Sequence, residues 1–449
     1  MRRVNMDAKL WVPEYDTPEL WHKEFWRSLQ ANVKTSRRSF FKSGLTSFLG
    51  LVAMQHFGSS SLAQLEEVLP RAEHCIVLFM NGGASQLDTF DPKPGSKNGG
   101  PFAAIPTSVE GIEVSEHLPQ VAEQAHHLSI IRSMVSREGN HERARYLLHT
   151  GYAPGGAVRH PTFGSLTSYY LDDSLSDLPS CVNINAPTYS GGFLGATHDP
   201  FVVNDSMRPV EDLSYPAQMD THRFRERLKM LRTIEKDFIA KRTGRSTEAH
   251  EAIYKKADQL INSPKIDAFQ LNEEPLAVRE AYGMNKFGQG CLMARRLVEA
   301  GVKFVEVSLD GWDTHQNNFE RTKELLNVVD PAFAMLLKDL SERELLDKTV
   351  VLWLGEFGRT PRINNNDGRD HHTNGWSTVV AGGGTRGGQV IGGTNEDGSE
   401  VVSGAVGVPD LFASLCFALG VDPDQENYSR SGRPIRVVND GSIIEELFG

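Results

Sequence analysis

The chain is 449 residues long and 39% hydrophobic, with a formal charge of −11. That length admits one large α/β domain or two smaller ones, and the acidic balance excludes nucleic acid as the main partner. The first 63 residues hold nine basic and five acidic side chains, so the remainder carries −15. Local arginines can still favour an anionic substrate inside a cleft.

Near the amino terminus, Arg37 and Arg38 stand in SRRSFFK, an apolar run covers residues 44–57, and Ser61-Leu62-Ala63 precedes Gln64. Twin arginines, a moderate apolar core and small residues at a cleavage point describe a twin-arginine export signal. Residues 1–63 are therefore read as an extended n-region and signal, and the protein as exported to the periplasm or beyond. The run is too short for a permanent membrane span. The 35 residues before Ser36, with Trp11, Trp21 and Trp26, have no assigned role.

From residue 64 the sequence reads as a single domain. Residues 74–80 (HCIVLFM) form the first core strand. Asp88 and Asp91 follow in a loop, either as metal ligands or as turn caps before Pro92. Residues 118–127 read as helix and 128–134 as strand. A helix opens near His141 and stops at Gly151. His141 and Arg145 are four apart and share a face, and a helix amino terminus favours anions.

Residues 162–171 read as helix, 181–185 as a short strand, and 187–204 as a Gly-rich loop that suits a pocket wall. An exposed helical insertion covers about 205–285, and a core-facing helix covers 286–300. The strand 302–309 ends at Asp310-Gly311-Trp312-Asp313-Thr314-His315, whose Asp313 and His315 are suitable divalent-metal ligands. A long helix spans 318–343. Residues 349–354 are a buried strand, followed by a loop carrying Glu356, Arg359, Arg362, Asp370, His371 and His372. Strand 377–381 and helix 409–419 complete the series. Alternating strands and helices predict an α/β fold with a mostly parallel sheet sandwiched by helices. Its site is expected at the carboxyl edge of the sheet. The four cysteines, Cys75, Cys181, Cys291 and Cys416, lack metal-ligand spacing and read as buried apolar side chains. One disulfide among them is open in an oxidising compartment.

LDTFDPKP (87–94), GWDTH (311–315), GEFGRTP (355–361), GRDHH (368–372) and AGGG (381–384) together resemble a secreted bacterial family, "domain of unknown function 1501". The likeness covers roughly residues 73–419. That family is similar to the alkaline phosphatase and sulfatase superfamily, and the resemblance implies an alkaline phosphatase-like fold. Sulfatases carry C-x-P-S-R, four residues, then T-G. His141 to Arg145, followed by Thr150-Gly151, repeats that spacing with His141 on the nucleophile position. A histidine cannot become formylglycine, so ordinary sulfatase chemistry is excluded on this alignment.

The resemblance further implies metal ligands among Asp88, Asp313, His315, Glu356, Asp370 and His371, with His372 an alternative to His371. Phe357 stands where the superfamily has a ligand histidine. The expected function is a metal-dependent hydrolase of phosphate or sulfate-type esters, on small-molecule or glycan substrates. Arg145 and Arg359 would neutralise the anion, and His141 would act as ligand, acid–base group or nucleophile. Zinc or manganese suits such ligands better than calcium. The alternative is a non-catalytic exported binding protein for an anionic glycan or protein partner. The oligomeric state is left open.

Overall fold

The computed structural model describes residues 72–449, except 173–175, 212, 216–218, 242–244 and 430. The export-signal segment lies outside the described residues. The described residues gather into one compact unit.

The central sheet contains β1 (His74–Asn81), β2 (Leu128–Val135), β3 (Cys181–Ile184), β4 (Phe201–Val203), β5 (Phe304–Asp310) and β6 (Thr349–Leu354). A hairpin, β7 (Gly358–Ile363) with β8 (Arg369–His372), stands apart from it. Back in the sheet are β9 (Trp376–Ala381), β10 (Gln389–Ile391) and β11 (Val406–Gly407). The order across the sheet is β10-β2-β9-β6-β1-β5-β3-β4, with β11 also on β2. Only β9 runs antiparallel to its neighbours; the other pairings are parallel.

The inner strands are covered on both faces, so they read as continuous apolar runs. On one face lie α5 (Lys286–Glu299) and α6 (Asn318–Glu342), within a core that includes Leu292, Leu297, Phe333 and Leu337. On the other face, α2 (Phe163–Leu171) and α7 (Val408–Ala418) pack through Phe163, Leu166, Leu411 and Leu415. The expected helical insertion contains α3 (Thr221–Lys241) and α4 (Arg245–Ile261). No helix among the described residues is long and apolar enough to cross a membrane. All four cysteines are free and buried.

Register positions the site. Asn81 at the end of β1 is level with Asp310 at the end of β5, and Phe79 is level with Leu354 on β6. The residues just past β1, β5 and β6 therefore emerge together at one edge. Gly82 makes this possible. Its φ is +117°, and a Cβ there would strike the backbone of Trp312 and Asp313, so only glycine lets the two strand ends lie this close.

The segment expected as a loop after β6 is partly strand. β7 and β8 pair antiparallel, with His371 level with Arg359. Their side chains are mostly polar, so the backbone ladder, not hydrophobic alternation, defines them.

Candidate metal centre

α1 (His141–Thr150) starts past β2 because the Asn140 side chain caps the backbone N–H of Arg143, and it ends at Gly151 with φ 74°. His141 is thus fixed in the first turn, beside the carboxyl edge of the sheet. Asp313 and His315 lie on the turn after β5. Arg321 donates to the carbonyls of Gly311 and Asp313 at 2.7 and 2.9 Å and pins that turn. Glu356, just past β6, is fully buried and accepts from Gly82 N at 3.0 Å. β8 delivers His371.

Three imidazoles converge here in the same way. His141 Nδ1 lies 2.8 Å from Glu356 Oε1, His315 Nδ1 2.8 Å from Asp370 Oδ1, and His371 Nδ1 2.8 Å from the Gly139 carbonyl. Each of those partners is an acceptor, so each Nδ1 carries the proton and each Nε2 presents a lone pair. The three Nε2 atoms then face one carboxylate oxygen, Asp313 Oδ1, at 3.2, 3.2 and 3.5 Å. His315 Nε2 and His371 Nε2 are 3.0 Å apart. Lone pairs so arranged repel one another unless a positive charge stands among them. Donors about 2.0–2.1 Å from a tetrahedral ion sit roughly 3.3 Å from one another, close to the separations of Asp313 Oδ1 from the three Nε2 atoms and of His315 Nε2 from His371 Nε2. His141, Asp313 and His371 can offer donor atoms all within 4.8 Å of one another. The residues fit a divalent ion. Three nitrogens and one oxygen suit a transition ion such as zinc better than calcium, and the acceptor behind each ring is the usual support of a ligating histidine.

Ionisation follows the same contacts. The hydrogen bond to Glu356 raises the His141 pKa above the usual histidine value, against the effect of burial. Burial, with the nearby positive charges, lowers that of His371. Burial opposes ionisation of Asp313, but Arg359 and the neighbouring histidines outweigh it and hold the carboxyl down at about 2.

Residues 72–448 match the family described as protein of unknown function (DUF1501). The chain belongs to that family. Similar solved structures include the PsFucS1 sulfatase from Pseudoalteromonas sp., at 13% identity and TM-score 0.38, over 81% of this chain and 70% of that one. Another is the lipoteichoic acid synthase LtaP from Listeria monocytogenes, at 9% and 0.37, over 83% and 76%. A third is the phosphonate monoester hydrolase of Agrobacterium radiobacter, at 10% and 0.36, over 84% and 77%. The comparison with curated proteins gives no match.

Several expected ligands occupy other places in this DUF1501 chain. Asp88 is not at the centre. It is fully buried, with Oδ2 at 2.8 Å from both Arg369 Nε and Asn318 Nδ2, and Oδ1 at 3.2 Å from Arg369 Nη2. Asp91 pairs with Lys93 and lies 3.4 Å from Arg132. Glu356 and Asp370 stand behind His141 and His315 and orient them. Arg359 does not face a substrate. It is fully buried and donates to the carbonyls of Gly82, Gly83 and Arg369 and to Asp313 Oδ1 at 2.6 Å. Its role here is to hold Asp313.

The Phe357 ring packs on His141 and His371, with centroids at 4.9 and 4.5 Å, in the space a ligand would need. Adjacent strand residues point to opposite faces, so His371 faces the centre, while His372 Nε2 is buried without a hydrogen-bond partner. Arg145 sits one turn along α1 from His141. It is partly buried, and among the described residues its guanidinium pairs with no carboxylate and no carbonyl.

Sequence reasoning missed a second buried pair. His149 Nδ1 bonds the Arg145 carbonyl at 2.7 Å, and its Nε2 lies 3.2 Å from Glu306 Oε1, which also accepts from Asn183 Nδ2 at 2.9 Å. The signal was present: Glu306 is a lone carboxylate inside the apolar run of β5, and such a group requires a partner.

Proposed function

We propose that this chain is a metal-dependent hydrolase of phosphate or sulfate-type esters, working outside the cytoplasm. The observation that carries the reading is the convergence of His141, His315 and His371 Nε2 on Asp313 Oδ1. A divalent ion held by these four residues would supply Lewis acidity toward an anionic ester and acidify water at the site. Glu356 holds the His141 ring, Asp370 the His315 ring and the Gly139 carbonyl the His371 ring, so each ring is oriented by a protein acceptor. Arg359 keeps Asp313 ionised. Arg145, one turn along α1 from His141 and without a carboxylate or carbonyl partner among the described residues, would receive the ester's anionic oxygens. Asp313 and His315 are 48% and 42% exposed, so a substrate can reach the centre from solvent.

One observation favours a second reading, a binding protein with a structural ion. With His315 beside the group formed by His141, Asp313 and His371, four protein donors are at hand, and a shell closed by all four would be the arrangement typical of structural zinc. Hydrolysis separates the two. The metal-loaded protein is expected to cleave p-nitrophenyl phosphate or p-nitrophenyl sulfate. Arg145→Ala is expected to lower kcat/KM by about 10- to 100-fold, the worth of one or two hydrogen bonds to a charged group. No cleavage of either ester would favour the binding protein, and equal rates in the variant would remove Arg145 from the ester site.

A further inference from the structure

Beyond Arg145 a wall of rings and cations leads away from the centre. Tyr189 lies close enough to Arg145 for the guanidinium's charge to act on its phenol. Its ring meets Tyr146 edge-on at 5.2 Å. The Tyr146 hydroxyl accepts from the backbone N–H of His160 at 3.0 Å, and the His160 ring stacks on Tyr152 at 3.9 Å and 13°. Tyr152 in turn donates to the Arg436 carbonyl at 2.6 Å. All four rings are partly exposed.

Two exposed arginines flank the far end. Arg159 precedes His160, and Arg433 is near enough for its charge to bear on the imidazole. Among the described residues neither is paired with a carboxylate. Arg436 is different, with Asp440 at 3.5 Å and Asp424 at 3.7 Å. Glu142, at the start of α1, and the buried Glu356 are the acidic side chains whose charge bears on Tyr189.

We propose that this wall is a subsite for a polyanionic glycan. Its Tyr146, Tyr152 and His160 rings would pack against sugar units, and Arg159 and Arg433 would meet anionic groups one or more units away from the ester at Arg145. The inference rests on the hydrolase reading and names its substrate as an anionic ester within an oligosaccharide, not a small monoester. Flat, partly exposed rings suit the C–H faces of sugars, and unpaired guanidiniums suit their sulfate or phosphate groups. The −15 balance past residue 63 disfavours a longer polyanion such as nucleic acid, which would run off this local patch onto acidic surface.

The test is calorimetric binding of a size-defined sulfated dextran oligosaccharide to the exported full chain at low salt, beside inorganic sulfate. Wild type is expected to bind the oligosaccharide at least tenfold more tightly than sulfate. The double variant Arg159→Ala/Arg433→Ala is expected to lose about tenfold for the oligosaccharide, with sulfate binding and p-nitrophenyl ester cleavage within about twofold of wild type. Both residues are exposed, so the fold is not at issue. Oligosaccharide binding unchanged in the double variant, or no tighter than sulfate in wild type, would overturn the subsite. If no ester is cleaved but oligosaccharide binding still depends on Arg159 and Arg433, the hydrolase reading fails and the subsite stands.

Discussion

Arg369→Met is expected to lower folding stability by about 3–5 kcal/mol, the usual cost of leaving one partner of a buried ion pair alone. The measurement is the denaturant midpoint at unchanged slope. Asp88 and Arg369 are both fully buried. The carboxylate receives two guanidinium contacts, at 2.8 and 3.2 Å, and one from Asn318 at 2.8 Å. Methionine fills the arginine stem but supplies none of the donors, so the carboxylate is left desolvated. The same arginine ties β8 to the carbonyl of Asn98 at 2.9 Å and to those of Thr360 and Pro361. The double variant Asp88→Leu/Arg369→Met removes both charges and should recover part of the loss. A double variant as unstable as the sum of the singles would show that the ion pair is not the source. Asp88→Asn should keep its metal, because Asp88 is a structural carboxylate here.

The second large effect is expected at His141. His141→Ala should lower ester cleavage by about 10²–10⁴-fold, whether the ring acts as ligand or as acid–base group. It also strips a partner from the buried Glu356, whose remaining hydrogen bonds come from Gly82 N at 3.0 and 3.1 Å. That orphaning should cost about 1–3 kcal/mol of stability. His141→Gln retains a donor for Glu356 and should restore most of the stability but little activity. A His141→Ala protein that cleaves esters at the wild-type rate would remove His141 from the chemistry.

The sheet was legible because its inner strands are apolar runs ended by Gly and Asp. β1 and β6 fall where residues 74–80 and 349–354 predict them, and the clustering of Asp313 and His315 past β5 was visible for the same reason. The β7–β8 hairpin was not. GRTPRI and RDHH are short and polar, and only backbone pairing makes them strands. Without that pairing the faces of His371 and His372 could not be told apart.

Asp88 was legible as a carboxylate in a loop past a strand, but not as the partner of a side chain 281 positions away. Pattern reading fixes neighbours along the chain and gives no partner at that range. Arg359 illustrates a related limit. An arginine in a polar loop reads as an anion receptor, whereas here three carbonyls and Asp313 surround it. Glu356 and Asp370 were expected as ligands because carboxylates near histidines suit metals. The hydrogen bonds to the Nδ1 atoms, which only coordinates reveal, place them one layer out.

The most direct test of the metal centre is elemental analysis of the purified protein beside His315→Ala. His315 is 42% exposed, so its loss should leave the fold intact, as circular dichroism would report. The account predicts about one equivalent of zinc or manganese in the native protein and its loss in the variant. A native protein without metal after growth and reconstitution in both ions, or a variant that retains the full equivalent, would contradict it.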